Sequence, residues 1–96
     1  MKKNKLNQFR KSIDRIDSQL INILNKRGSL SIKIGLIKSK LKMPILTKKR
    51  EIEIFKNIAK INSGPFENAN LIKIYKSILK ESRQLAKTKI LDDKKN

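Results

Sequence analysis

Cysteine and histidine are both absent from this chain of 96 residues. Without cysteine the chain forms neither a disulfide framework nor a thiolate metal site, and a reducing compartment is allowed. Without histidine it lacks the most common general base and the most common transition-metal ligand. These absences exclude the nucleophilic and metal-dependent chemistries that rest on those two side chains, and no cofactor is predicted.

Long apolar runs are missing as well. No stretch approaches the roughly 18 consecutive apolar residues that a membrane-spanning helix needs. The basic residues 1–5 precede amphipathic sequence rather than the apolar core of a signal peptide. We therefore expect a cytoplasmic protein without a membrane partner.

Aromatic residues are scarce, with three phenylalanines and one tyrosine, whereas the formal net charge is +17. This charge suggests nucleic acid, but few rings are present for base stacking, and no zinc-finger or helix-turn-helix pattern is found. Lysine, isoleucine and asparagine together fill 45 of the 96 positions, a bias typical of an A+T-rich genome. We expect weak, salt-sensitive binding to polyanions and no specific nucleic acid.

Pro44 and the pair Gly64-Pro65 divide the chain into helical segments, whereas Gly28 and Gly35 lie inside the first of these segments. Apolar periodicity of the helical type covers three stretches, at about residues 6–41, 47–61 and 68–86. Thr47 is a plausible N-cap of the second. The sequence predicts a single all-α domain over residues 1–96, with an ordered core at about 5–86 and a charged tail at 87–96 that frays.

The first segment carries apolar residues at strictly alternating steps of three and four, which is the pattern of a helix packed along its length against other helices. We call these residues the apolar seam: Leu6, Phe9, Ile13, Ile16, Leu20, Ile23, Leu30, Ile34, Ile37 and Leu41. At about 1.5 Å per residue this helix is roughly 54 Å long, whereas a compact domain of this size is only about 30 Å across. The simplest remedy is a second copy, so we predict a homodimer with intertwined long helices.

Arg27 occupies the one seam position that is not apolar. Because a buried guanidinium is costly without a partner, we expect it to hold an anion. Lys38 lies about 16 Å further along the axis and close to the same azimuth, so the two cations could clamp a small anion over Ser31 and Gly35. The alternative is that such cations form surface or interface salt bridges.

Two further groups of charged residues are candidates for the same site. Arg10 lies about 25 Å from Arg27 along the helix, too far to share a pocket within one chain, but it could reach a partner chain's pocket. Near the start of the second segment, Arg50 and Glu51 add a cation and a carboxylate. For Arg10 and Arg50 the salt-bridge alternative carries more weight.

The motifs at residues 9–17 and 24–27 resemble the first helix of the all-helical chorismate mutases. At the family's spacing, the similarity continues through Gly35, Lys38, Pro44 and the pair Arg50-Glu51. The stretch 64–68 is similar to the linker of the form often fused to DAHP synthase. The resemblance covers about residues 5–86.

This resemblance implies an intertwined dimer with shared active sites that converts chorismate to prephenate, on the route to phenylalanine and tyrosine. It implies that Arg27 and the partner chain's Arg10 bind the two carboxylates of the substrate. Lys38 would donate to the ether oxygen, Glu51 would accept from the ring hydroxyl, and Arg50 and Ser82 would assist at polar groups. DAHP synthase is implied as a further partner.

Two positions depart from the family pattern. Thr47 stands where the family usually has aspartate, and it can still cap the helix and form hydrogen bonds. Ala86 stands where a glutamine or glutamate makes the second contact to the ether oxygen, and loss of such a donor typically costs 10²–10³ in rate. Two alternatives to an active enzyme therefore stay open: a catalytically weak regulatory domain that partners DAHP synthase, and a basic helical nucleic-acid-binding protein.

Overall fold

The computed structural model describes residues 2–95, which form three α-helices and no strand. These are α1 (Lys2–Lys40), α2 (Lys48–Ile61) and α3 (Asn68–Lys95). The predicted all-α class with three helices is confirmed. The chain divides into two compact units, one ending at Leu30 and one beginning at Ser31, so that α1 contributes residues to both.

The first unit is the N-terminal part of α1, which no proline interrupts. Its apolar seam residues are all exposed in the single chain, and Phe9 keeps 66% of its accessible surface. This part of α1 therefore has an apolar face that no other residues of the first unit cover. Large exposed apolar faces of this kind are typical of protein interfaces.

In the second unit, α1 ends in a Schellman motif. The N–H of Met43 donates to the carbonyl of Lys38 at 2.8 Å, and the N–H of Lys42 donates to the carbonyl of Ser39 at 3.1 Å. Lys42 takes a left-handed conformation with φ 56°, at the position where helices usually have glycine. The motif turns the chain sharply and directs residues 43–47 back past the end of α1.

The connection between α2 and α3 is organised by Asn62. Its side-chain amide donates to the carbonyl of Phe66 at 2.8 Å and to Oδ1 of Asn68 at 2.7 Å, and its oxygen accepts from the N–H of Gly64 at 3.0 Å. Gly64 has φ +79°, a conformation that side-chain-bearing residues rarely adopt. The stretch 64–68, singled out in the sequence as a linker, is thus a turn held by one asparagine.

Helix α3 is longer than the sequence predicted. The expected end at Ala86 is wrong, because α3 continues to Lys95 and buries Ile90 one turn beyond Ala86. The predicted charged tail is thus helical as far as Lys95. Ile90 continues the apolar stripe of Leu79 and Ala86, and with Ile58 of α2 these residues make up the buried hydrophobic core of the described residues.

Gly35 of α1 and Ala86 of α3 lie in close contact in this core. A Cβ placed on Gly35 would lie 2.9 Å from Cβ of Ala86 and 3.6 Å from Cδ1 of Ile90. At a separation below 3.0 Å one of the two groups has to shift. The Cβ of Ala86 is attached directly to the backbone of α3, so it cannot move aside as the end of a flexible side chain could. The absence of a side chain at Gly35 therefore lets the two helices approach each other.

Gly35→Ala is expected to destabilise the protein by up to about 2 kcal/mol, because the cost of overpacking, about 1–3 kcal/mol, outweighs the gain of about 1 kcal/mol in helix propensity over most of that range. The measurement is urea unfolding followed by circular dichroism. The control is the double variant Gly35→Ala with Ala86→Gly, in which removal of the opposing methyl group relieves the clash. If the double variant is no more stable than the sum of the two single effects predicts, the contact is not the cause.

Candidate active site

The ammonium group of Lys38 makes two hydrogen bonds within the second unit. Its Nζ donates to Oγ1 of Thr47 at 2.9 Å and to the carbonyl oxygen of Ile45 at 3.1 Å. Both acceptors belong to the segment that the Schellman motif directs back past the end of α1. An ammonium group has three N–H donors, and among the described residues two of them are used by these acceptors.

Thr47 precedes α2 at the N-cap position, with extended backbone angles of φ −120° and ψ 101°. The prediction that Thr47 is the N-cap residue is confirmed, but among the described residues its hydroxyl forms no capping hydrogen bond with an N–H of the first turn. The hydroxyl accepts from Lys38 instead. The side chain therefore joins α2 to the end of α1 and holds the Lys38 ammonium group.

Glu51 lies in the first turn of α2, where its N–H donates to the carbonyl of Thr47 at 3.1 Å. Thr47 and Glu51 are therefore one helical turn apart on neighbouring parts of the same face. A carboxylate in this turn is favoured by the positive end of the helix dipole. The helix start thus presents a hydroxyl and a carboxylate together.

Arg83 of α3 forms an ion pair with Glu51, donating from Nη1 to Oε2. Arg83 was not among the site residues predicted from the sequence, because it is one of several cations spaced along α3. One signal could have found it: this chain uses 20 lysines and only five arginines, so each retained arginine points to a need for the planar guanidinium group. The structure brings this cation to the start of α2.

Arg50 and Ser82 make local contacts in this structure. Nη1 of Arg50 donates to Oε2 of Glu53 at 3.3 Å, and the two side chains are 67% and 52% exposed. This is the surface salt bridge that the sequence analysis kept as an alternative for Arg50. The hydroxyl of Ser82 donates to the carbonyl of Ile78 at 2.7 Å, one turn earlier in α3. Roles of Arg50 and Ser82 toward a ligand stay predictions.

Ala86 has only 2% of its surface exposed. Its methyl group packs against Gly35, so the space that the sequence analysis placed over Gly35 is occupied by α3. A methyl group this well covered forms no part of the accessible surface of the site in this structure. A substrate contact at position 86 therefore stays a prediction.

Arg10 and Arg27 lie in the first unit. Arg10 is exposed, whereas Arg27 is half-buried although the apolar seam residues that flank it in the heptad pattern are exposed. Arg27 is also engaged in a polar or electrostatic interaction. Arg27 is thus less exposed than the neighbouring apolar seam residues. This burial is more typical of a side chain held in one position by contacts than of one surrounded by solvent.

The second unit therefore combines a fixed ammonium group, a hydroxyl and a carboxylate paired with a guanidinium group. Such a set can bind an anionic, hydroxyl-bearing molecule and place a positive charge beside an oxygen atom that gains negative charge. Among the described residues, no three histidine, cysteine, aspartate or glutamate side chains are grouped so that they could hold a metal ion. None of the described helices is long and apolar enough to span a membrane.

Comparison with known families assigns this arrangement to one class of protein. The family described as chorismate mutase type II matches residues 9–87. In the solved structure of a chorismate mutase (form II) from Thermus thermophilus, the same fold is found with a TM-score of 0.84 and 31% sequence identity. That match covers 86% of this chain and 94% of the other.

Curated relatives agree with this match. A chorismate mutase of Methanocaldococcus jannaschii is 32% identical over 84 residues, covering 86% of this chain and 85% of that protein. A bifunctional chorismate mutase/prephenate dehydratase of Aquifex aeolicus is 41% identical over 86 residues, covering 85% of this chain and 24% of that protein. The chain thus spans about a quarter of the length of the curated bifunctional relatives that it matches.

Proposed function

The chain belongs to the chorismate mutase type II family, and we propose that it converts chorismate to prephenate in the synthesis of phenylalanine and tyrosine. The observation that carries the proposal is the Lys38 ammonium group, which two acceptors among the described residues hold between α1 and α2. The cytoplasm is the proposed location.

The proposed reaction suits a chain without histidine or cysteine. In this intramolecular rearrangement the C–O bond of the ether breaks while a C–C bond forms, so the substrate and the product are isomers. No nucleophile and no proton transfer are required. The protein has to hold a folded conformer of the substrate and place a positive charge where negative charge grows on the ether oxygen.

We assign the roles of the site residues as follows. Lys38 donates to the ether oxygen, and Glu51 accepts from the ring hydroxyl. Arg27 and the partner chain's Arg10 bind the two carboxylates, because guanidinium groups match carboxylates with two parallel hydrogen bonds. Arg50 and Ser82 contact remaining polar groups. The positive net charge of the chain speeds the encounter with a dianion.

An intertwined homodimer is part of the proposal. The observation that supports it is the exposed apolar seam, whose members from Leu6 to Leu41 follow one another along α1 and its end. A second copy offers the same seam, so the two helices can cover each other's apolar faces. The dimer also brings Arg10 of one chain toward the site of the other, as the shared-site proposal requires.

The protein is expected to sediment as a dimer of about twice 11.2 kDa at micromolar concentration. Ile16→Lys places a charge in the seam and should shift the protein toward monomers, because a lysine at a seam position is costly to bury. Ser18→Lys adds the same charge at a heptad position opposite the seam and serves as the matched control. A well-folded monomer of the unaltered chain would contradict the proposed architecture.

Thr47→Val is expected to lower kcat about tenfold, because valine keeps the shape of threonine but removes the acceptor that holds Lys38. Thr47→Ser retains the hydroxyl and is expected to stay within about twofold of the unaltered chain. Steady-state kinetics with chorismate measure both variants. Equal activity of the valine and serine variants would show that the hydroxyl does not position Lys38.

Turnover of chorismate by the purified chain, followed by loss of its absorbance and appearance of prephenate, tests the proposed function directly. Binding of prephenate without turnover would favour the regulatory alternative, in which the domain partners DAHP synthase. The curated bifunctional relatives pair their mutase with prephenate dehydratase instead. A partnership with DAHP synthase rests only on the resemblance of the 64–68 linker, and co-sedimentation with that enzyme tests it.

A further inference from the structure

Arg83 differs from the other basic residues of α3. Five cations follow one another at steps of three and four and form a stripe along the helix: Lys73, Lys76, Lys80, Arg83 and Lys87. The four lysines are exposed, whereas Arg83 is half-buried and reaches a carboxylate on another helix. A run of lysines is ordinarily a solvated helix face, so this burial and this partner set Arg83 apart.

We propose that Arg83 is a positioning residue of the active site, which holds the Glu51 carboxylate in the orientation that accepts the ring hydroxyl of the substrate. The inference rests on the proposed function, in which Glu51 makes that contact. Arg83 acts through Glu51 and does not itself touch the reacting atoms.

The burial of the pair supports a positioning role. The side chains of Arg83 and Glu51 are only 28% and 22% exposed, and the pair joins residues of α2 and α3 that are 32 positions apart. The other ion pair described for α2, between Arg50 and Glu53, is exposed and lies within a single helical turn. Solvent and salt screen an exposed pair strongly and a half-buried pair much less.

The hydrogen-bonding pattern leaves Glu51 able to bind a ligand. Nη1 of Arg83 donates to Oε2, so this ion pair uses one of the two carboxylate oxygens and leaves Oε1 outside it. An ionised carboxylate accepts several hydrogen bonds, so Oε1 can accept from a hydroxyl group while Oε2 stays on the guanidinium group. Because Arg83 and Glu51 extend from different helices, their contact fixes the direction of the carboxylate relative to α2.

The test is a double-mutant cycle on kcat/KM for chorismate with Arg83→Met, Glu51→Gln and the double variant. Arg83→Met is expected to lower kcat/KM by about tenfold to a hundredfold, the range expected when a substrate-contacting group is misplaced by about 1 Å. In the Glu51→Gln background the same change is expected to cost less than about twofold, because the group that Arg83 positions has already been altered. Equal losses in both backgrounds would overturn the inference.

A chorismate analogue that lacks the ring hydroxyl gives a second test. If Arg83 had only a structural role, the loss of kcat/KM in Arg83→Met would be the same with this analogue as with chorismate. With this substrate Arg83→Met should behave like the unaltered chain within about twofold, because the contact that Arg83 supports is absent. A loss as large as that seen with chorismate would show that Arg83 acts on the fold or on another part of the substrate.

Two further variants serve as controls. Lys80→Met removes the same charge one turn earlier on the stripe and should leave kcat/KM within about twofold of the unaltered chain. Arg83→Lys keeps the charge but not the planar fork, so partial activity is expected, and it replaces Arg83→Met in the cycle if that variant fails to fold. Absence of turnover in the unaltered chain would overturn the proposed function together with this inference, whereas turnover with additive losses would overturn this inference alone.

Discussion

Lys38→Ala is expected to lower kcat for chorismate by about 10³-fold while KM changes little. The reason is that the ether oxygen gains negative charge only as the C–O bond breaks, so the contact with Lys38 is strongest in the transition state. The structure adds that the ammonium group of Lys38 is held in place by Thr47 and Ile45, so another cation would have to move and be ordered to replace it. Steady-state kinetics separate the two constants.

The matched control is Lys40→Ala, which removes an exposed lysine two residues later on α1 and about 200° round the helix. Its kcat is expected to stay within about twofold of the unaltered chain. Because Lys38→Ala also removes the donor for two acceptors, urea unfolding should show a loss of about 1–3 kcal/mol with the fold retained. A folded Lys38→Ala protein with unchanged kcat would contradict the assignment of the ammonium group to the ether oxygen.

Arg27→Ala is expected to lower kcat/KM by about 10³-fold or more, because paired charge-assisted hydrogen bonds to a carboxylate would be lost. The helix and the dimer are expected to persist, since alanine is a good helix former and the seam loses a cation that is costly to bury. Circular dichroism and sedimentation check the fold. Unfolding of Arg27→Ala would favour a structural ion pair at this position.

Mixing Arg27→Ala chains with Arg10→Ala chains tests whether a site is shared between two chains. If Arg10 acts on the partner's site, a mixed dimer has one intact site and one site that lacks both arginines. Random exchange makes about half of the dimers mixed, so about one quarter of the unaltered activity should return. No recovery after demonstrated chain exchange would place Arg10 outside the partner's site.

Several features of the chain could be read from the sequence because they depend on local order. Helical periodicity and the positions of glycine and proline indicated three helices, and the alternating steps of three and four located Arg27 within an otherwise apolar seam. The motifs around residues 9–17 and 24–27 pointed to the family that the comparisons identify. The end of α3 was misjudged, because charged residues beyond Ala86 obscured the continuation of its apolar stripe at Ile90.

Other features were decided only by contacts between helices that are distant in sequence. The hydroxyl of Thr47 accepts a hydrogen bond from Lys38 and not from an N–H at the start of α2, because the ammonium group at the end of α1 is a stronger, charged donor. Arg83, unlike the exposed lysines of its stripe, forms an ion pair with Glu51 because α2 and α3 pack together. Ala86 contacts Gly35 because these two small residues allow α1 and α3 to approach each other. The sequence by itself determined the helices, the apolar seam and the inventory of charged groups, whereas tertiary packing selected which of those groups meet.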